Sequence, residues 1–181
     1  MAKTVVFTYG RFNPPTKGHA KLISKIKDVA QSNNADHVIV ASHTQDNKKN
    51  PLPQDVKVEH LNNLFPETNF RCSDKTNPTF VNQLALLDKE YDNVVFVAGS
   101  DRVETYASVL NKYNGKDFTF KNVEVVSAGQ RDPDGDSVEG ISATQMREYA
   151  INNDLESFKK ALPSDYALSE NLFNEVRKCL N

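Results

Sequence analysis

Apolar residues fall along this chain in two alternating rhythms. Residues 4–9 (TVVFTY), 37–42 (HVIVAS), 93–98 (NVVFVA) and 122–127 (NVEVVS) are short, β-branched or aromatic runs, mostly apolar throughout rather than at every second position. Such runs predict strands buried on both faces. Between them the spacing turns helical. Over residues 17–31 the apolar positions Ala20, Leu22, Ile23, Ile26, Val29 and Ala30 recur on one face, with Lys21, Lys25, Lys27 and Asp28 mostly between them. Further helices are predicted over 54–65, 79–91 and 101–113, and a short strand near 69–72.

Strands that alternate with helices predict a doubly wound, Rossmann-like α/β fold, its parallel sheet covered on both sides. After residue 127 the pattern changes to a polar loop, AGQRDPDGDSVEG, and then helices at 142–151, 155–162 and 164–180. At 181 residues the chain is expected to be a single domain, 1–181. Its α/β core would be 1–127, and 128–181 would hold the loop and C-terminal helices that pack on the sheet.

Charge narrows the partners. The 22 basic and 24 acidic residues give a formal charge of −2, which offers no excess positive field for nucleic acid or an anionic membrane. An anionic partner is expected to be small. Cys72 and Cys179 belong to no CxxC pair and read as reduced thiols. No segment has the composition of a signal peptide or the length of a membrane span, so a soluble, cytoplasmic protein is expected. Oligomeric state is open.

The junction behind the first strand holds the most chemistry. In an open parallel sheet, ligands bind beyond the carboxyl ends of the strands, and the first strand-to-helix turn commonly holds a phosphate. Here that turn is GRFNPPTKGH, residues 10–19. Gly10 permits a tight turn and close backbone approach, and Pro14 and Pro15 stiffen the loop. Thr16 is placed to cap the new helix, with its hydroxyl and the first amides facing an anion. Gly18 removes bulk, His19 lies one turn after Thr16, and Lys17 and Arg11 add positive charge.

The stretch resembles the nucleotidylyltransferase signature G-x-F-x-P-x-[HT]-x-G-H, matching at Gly10, Phe12, Pro14, Thr16, Gly18 and His19. That superfamily includes mononucleotide and phosphopantetheine adenylyltransferases and the glycerol-phosphate and choline-phosphate cytidylyltransferases. The resemblance implies that His19 contacts a nucleoside triphosphate, and that Gly10, Arg11, Phe12, Asn13 and Gly18 line the nucleotide. Threonine stands at position 16, where many members carry a first histidine.

A second stretch, GISATQMR at 140–147, places Ser142 as a helix cap with Thr144 and Arg147 three apart on the new helix. It is similar to the superfamily's I-S-x-T-x-x-R signature. By that resemblance Ser142, Thr144 and Arg147 hold the β and γ phosphates. Gly99-Ser100-Asp101 resembles the G-[AS]-D segment of mononucleotide adenylyltransferases, which implies that Gly99 approaches the nucleotide and Asp101 binds ribose hydroxyls. Lys49-Asn50-Pro51 is similar to their K-N-P segment and implies an acceptor wall of Lys49 and Asn50. His43 joins it as a residue at the carboxyl end of the second strand.

The resemblance implies transfer of AMP from ATP to a phosphorylated acceptor such as nicotinamide mononucleotide, with magnesium carried on the triphosphate. His19, Thr16, Lys17 and Arg147 would stabilise the developing charge. Two alternatives stay open: a cytidylyltransferase using CTP and a small phosphorylated alcohol, and a noncatalytic nucleotide-binding module. The stretch 131–150 also resembles one common in bacteriophage nucleotidyltransferases, which would make the host cytoplasm its location. Asp132-Pro-Asp-Gly-Asp suggests a calcium loop, but Ser137 and Ala143 stand where an EF-hand needs glycine and glutamate. The segment 128–140 reads as an acidic loop and candidate lid, with no protein metal site.

Overall fold

The computed structural model describes residues 2–128, 143–163 and 166–180. Five strands, β1 (Thr4–Gly10), β2 (Asp36–Ala41), β3 (Phe70–Cys72), β4 (Asn93–Ala98) and β5 (Asn122–Ser127), form one sheet in the order β3-β2-β1-β4-β5. Every neighbouring pair is parallel. From β1 the chain winds outward to β3, then returns to the far side of β1 for β4 and β5. The winding sense therefore reverses between β1 and β4, and the crevice at their carboxyl ends is where such sheets take ligands.

Successive side chains along each strand enter opposite faces. Val5 and Phe7 pack with Val38, Val40, Val94 and Phe96 on one side, covered by Leu84 and Leu87 of α3 (Phe80–Asp88) and Leu110 of α4 (Val103–Tyr113). Val6 enters the other side with Ile39, Val95 and Val97, against Ile23, Ile26 and Ala30 of α1 (Lys17–Ser32) and Leu61 of α2 (Gln54–Leu64). Two covered faces explain why the central strands read as continuous apolar runs.

A third apolar cluster joins α5 (Ala143–Ile151), α6 (Leu155–Lys160) and α7 (Ser169–Leu180) through Met146, Ala150, Phe158, Leu172, Phe173 and Val176. Leu52, Val56 and Leu64 close it, so these helices dock on α2 and the loop before it. His60 Nδ1 and the Tyr166 hydroxyl meet at 2.5 Å across the same seam.

The predicted elements are present with shifted ends. The helix predicted over 101–113 opens instead as a 3-10 turn, Ser100–Arg102, because the Arg102 amide donates to the Gly99 carbonyl at 2.9 Å and tightens the first turn. The helix predicted over 79–91 begins with a capping box at Thr79 and Asn82 and stops at Asp88. Glu90 and Tyr91 then both donate to the Leu87 carbonyl, which ends the regular ladder. The helix predicted from 164 is α7, starting at Ser169.

Candidate active site

The turn behind β1 is held by its own side chains. A Cβ on Gly10 would stand 3.1 Å from Cε2 of Phe12, tighter than an ordinary contact, so a side chain there would press on that ring. Phe12 takes a φ of 47°, a left-handed conformation that bulky residues avoid, and is only 2% exposed. Strain of this kind costs about 1–3 kcal/mol, and burying a phenylalanine offsets about as much. The strain has a structural product: the Phe12 ring braces the His19 imidazole, with centroids 4.6 Å apart and planes tilted by 56°.

Thr16 caps α1. Its Oγ1 accepts from the Gly18 amide at 3.1 Å, while His19 Nδ1 accepts from the Thr16 amide at 3.0 Å. A ring nitrogen that accepts a hydrogen bond carries no proton, so the His19 proton sits on Nε2 and makes that nitrogen a donor. The expectation that the first amides of α1 stand open to an anion is not met. The capping box engages Thr16 and Gly18, the His19 amide donates to the Thr16 carbonyl, and the Lys17 amide donates to the Ala161 carbonyl behind α6 at 2.8 Å. At this end of α1 the groups left to meet an anion belong to side chains.

Asn13 is buried, and its amide side chain grips the backbone of Leu52: Oδ1 accepts at 2.8 Å and Nδ2 donates at 3.4 Å. It joins the β1–α1 loop to the β2–α2 loop rather than presenting its side chain to a nucleotide. The hydroxyl of Thr16 is buried as well, its oxygen accepting in the cap. Both residues shape the site from within.

Arg147 of α5 comes to the same loop across 134 positions of sequence. Its Nη1 donates to the Asn13 carbonyl at 2.9 Å and its Nη2 to Thr144 Oγ1 at 3.2 Å. Burial pushes its pKa down, the positive charge of Arg11 pushes it the same way, and Asp46 and Glu148 oppose them. Two guanidiniums thus share one neighbourhood beside the His19 turn. An anion between them would relieve their repulsion. Ser142 lies outside the described residues, as does 129–140, the greater part of the expected lid.

The β2–α2 loop is organised by Asp46. Its Oδ1 accepts from the amides of Lys48, Lys49 and Asn50 at 2.9, 2.7 and 3.1 Å, and its Oδ2 from Asn50 Nδ2 at 2.8 Å. These bonds, the Asn50 side chain first, hold the Asp46 carboxyl well below the usual carboxylate range. Lys48 and Lys49 are exposed, whereas Asn50 is buried with its Oδ1 unpartnered among the described residues. His43 stands at the base of this loop. Ser73 Oγ accepts from the His43 amide at 2.9 Å and shares a second hydrogen bond with the ring, 2.7 Å from Nδ1, which fixes the imidazole against β3. On the other flank, Gly99 follows β4 in extended backbone; the side chain of Asp101 lies outside what is described.

Sequence reasoning missed two contributors. Ser73 carried no signal beyond its place after β3. Lys57 of α2 did: with His60 and Leu61 it falls on one helical face, and that face is buried. The Lys57 ammonium donates to the carbonyls of Arg11, at 2.9 Å, and Ser42.

Among the described residues no three His, Cys, Asp or Glu side chains are grouped to hold a metal ion, and no helix is long and apolar enough to cross a membrane.

No curated protein sequence matches the chain. Solved structures share its fold. Nicotinic acid mononucleotide adenylyltransferase of Plasmodium falciparum, complexed with NaAD, is 14% identical with a TM-score of 0.60, over 95% of this chain and 98% of the other. TmcAL of Thermotoga maritima, bound with alpha-thio ATP, is 11% identical with a TM-score of 0.59, over 97% of this chain and 55% of its own. A macrolide-efflux protein from Streptococcus pneumoniae is 16% identical with a TM-score of 0.53, over 89% and 55%. A family model described as cytidylyltransferase-like matches residues 7–149, from β1 through Arg147. The chain therefore belongs to the cytidylyltransferase-like family of nucleotidyltransferases.

Proposed function

We propose that this protein transfers AMP from ATP to a phosphorylated acceptor such as nicotinamide mononucleotide, releasing pyrophosphate. The observation that carries the reading is the meeting of two distant motifs on residues 13–16, with His19 bonded to Thr16 and Arg147 to Asn13. Alone, either would be an ordinary helix start.

In the proposed reaction an acceptor phosphate oxygen attacks the α-phosphorus in line. The bond to the oxygen bridging the α and β phosphorus atoms breaks, and pyrophosphate leaves with that electron pair. No protein nucleophile is required, so positioning and charge neutralisation supply most of the rate. His19 donates from Nε2 to the oxygens where charge develops. Arg147 with Thr144 holds the far phosphates, and Lys17 and Arg11 add positive charge. Thr16 acts by fixing the imidazole. Lys49, Asn50 and His43 receive the acceptor at the carboxyl end of β2.

The donor set of imidazole, hydroxyl, guanidinium and ammonium suits a polyphosphate rather than a bare cation. Magnesium would fit this site only as a companion of the triphosphate, where it would supply charge neutralisation.

The test is pyrophosphate release from each nucleoside triphosphate with mononucleotide or phosphorylated alcohol acceptors. Release with ATP and a mononucleotide supports the proposal. Release only with CTP and a phosphorylated alcohol favours the cytidylyltransferase alternative, and tight ATP binding without release from any pair favours a binding module.

A further inference from the structure

Lys57 has no part in the reaction as proposed, yet it is a fully buried ammonium. Burying a cation is costly unless its donors are satisfied and its charge is compensated. Its hydrogen bonds go to main-chain carbonyls, those of Arg11 and Ser42. Among the described residues the one titratable group acting on it is the Cys72 thiol of β3, and no carboxylate does. Burial pulls its pKa down to about 8. The two carbonyls are not arbitrary. Gly10 and Ala41 are register partners at the ends of β1 and β2, and the Ser42 amide donates to the Gly10 carbonyl at 2.8 Å, so Lys57 sits where both loops depart.

We propose that Lys57 is a positioning residue: its ammonium clamps the first residues of the β1–α1 and β2–α2 loops together, and its buried charge strengthens the hold of that junction on a substrate polyphosphate. The second half rests on the function proposed above; the first does not. The charged form makes the stronger bonds to both carbonyls. Deprotonation removes the field that draws an anion. The same lowered pKa has the opposite effect on folding. Below it the fold carries the burial cost of the charge; through the window from about 8 to the ordinary lysine value the unfolded chain binds more protons, and this group's contribution to stability rises with pH. Anion affinity and the stability contribution of Lys57 therefore move in opposite directions, which a merely structural lysine would not produce.

The test compares wild type with Lys57→Met, Lys57→Gln and, as a control for the thiol, Cys72→Ser. Hydrogen exchange without ligand, corrected for intrinsic rates, reads the amides of residues 10–13, 16 and 42–50 against those of α4 and β5. The expected result is at least tenfold faster exchange in both loops of Lys57→Met with α4 and β5 unchanged. Lys57→Gln, which keeps N–H donors without charge, should fall between. Calorimetry with inorganic triphosphate should show wild type and Cys72→Ser losing severalfold in affinity between pH 7 and 9.5, and Lys57→Met weak and flat. Unaltered loop exchange in folded Lys57→Met, or in Lys57→Gln if that variant does not fold, overturns the clamp. A pH slope retained in Lys57→Met overturns the electrostatic part. Loosened loops with no triphosphate binding by wild type would keep the clamp and reject the proposed function.

Discussion

The two loops that leave the carboxyl ends of β1 and β2 are built on different plans. Residues 12–16 are buried, and the stretch through Lys17 is fixed from afar, by Leu52 and Arg147 at Asn13 and by Ala161 at Lys17. Residues 44–49 are exposed and ordered chiefly by one of their own carboxylates, Asp46. The first plan suits groups that must not move during a reaction, since their positions are set by three separate parts of the chain. The second suits a surface whose side chains can change with the ligand it receives, because a single local anchor shapes the backbone and leaves the lysines free to vary. On this view the first loop does the chemistry and the second chooses the acceptor.

The largest expected effect comes from His19→Ala. Loss of a donor aimed at developing charge costs about 10²–10³ in turnover, while triphosphate affinity should change far less; steady-state kinetics with equilibrium binding separates the two. Turnover like that of wild type would remove the division of labour between the loops. Next comes Arg147→Lys, which keeps the charge but loses the fork that reaches Asn13 and Thr144 together. Triphosphate affinity measured by calorimetry should fall about tenfold, with acceptor KM unchanged.

Gly10→Ala sharpens the contrast by straining only the first loop. Its Cβ must displace the Phe12 ring that braces His19, and such overpacking costs about 1–3 kcal/mol of stability. Denaturant unfolding reads that loss, and turnover should fall with it. The smallest effect belongs to the second loop. Asp46→Asn should raise acceptor KM a fewfold and leave turnover and melting temperature near wild type. The lowered pKa of Asp46 means that order in this loop is complete above the ordinary aspartate range and is lost only as pH falls through the depressed value. Amide exchange of 48–50 should accordingly stay slow at pH 4 in wild type and be fast there in Asp46→Asn.

Much of this architecture could be read from the residues, and the exceptions share a cause. The strands were legible because both faces of the sheet are covered, which makes runs such as NVVFVA apolar without interruption. The cap at Thr16 and the face of α1 follow from local spacing, and the chain supplies both. What spacing could not disclose was competition for the same groups: the amides of α1 are taken by His19, Thr16 and Ala161, the last brought in from 144 positions away. Asn13 passes for a ligand contact in the sequence for the same reason, since its partner Leu52 becomes a neighbour only in the fold. Lys57 lies on the buried face of α2, and only the fold supplies the two carbonyls that let a charged side chain stay there.

The account depends on one polyphosphate being gripped from both motifs at once. A crystal structure with magnesium and a nonhydrolysable ATP analogue tests this most directly. The account predicts phosphate oxygens within hydrogen-bonding distance, about 3 Å, of both His19 Nε2 and the Arg147 guanidinium. A triphosphate bound to neither, or to one with the other turned away on a separate surface, would contradict it.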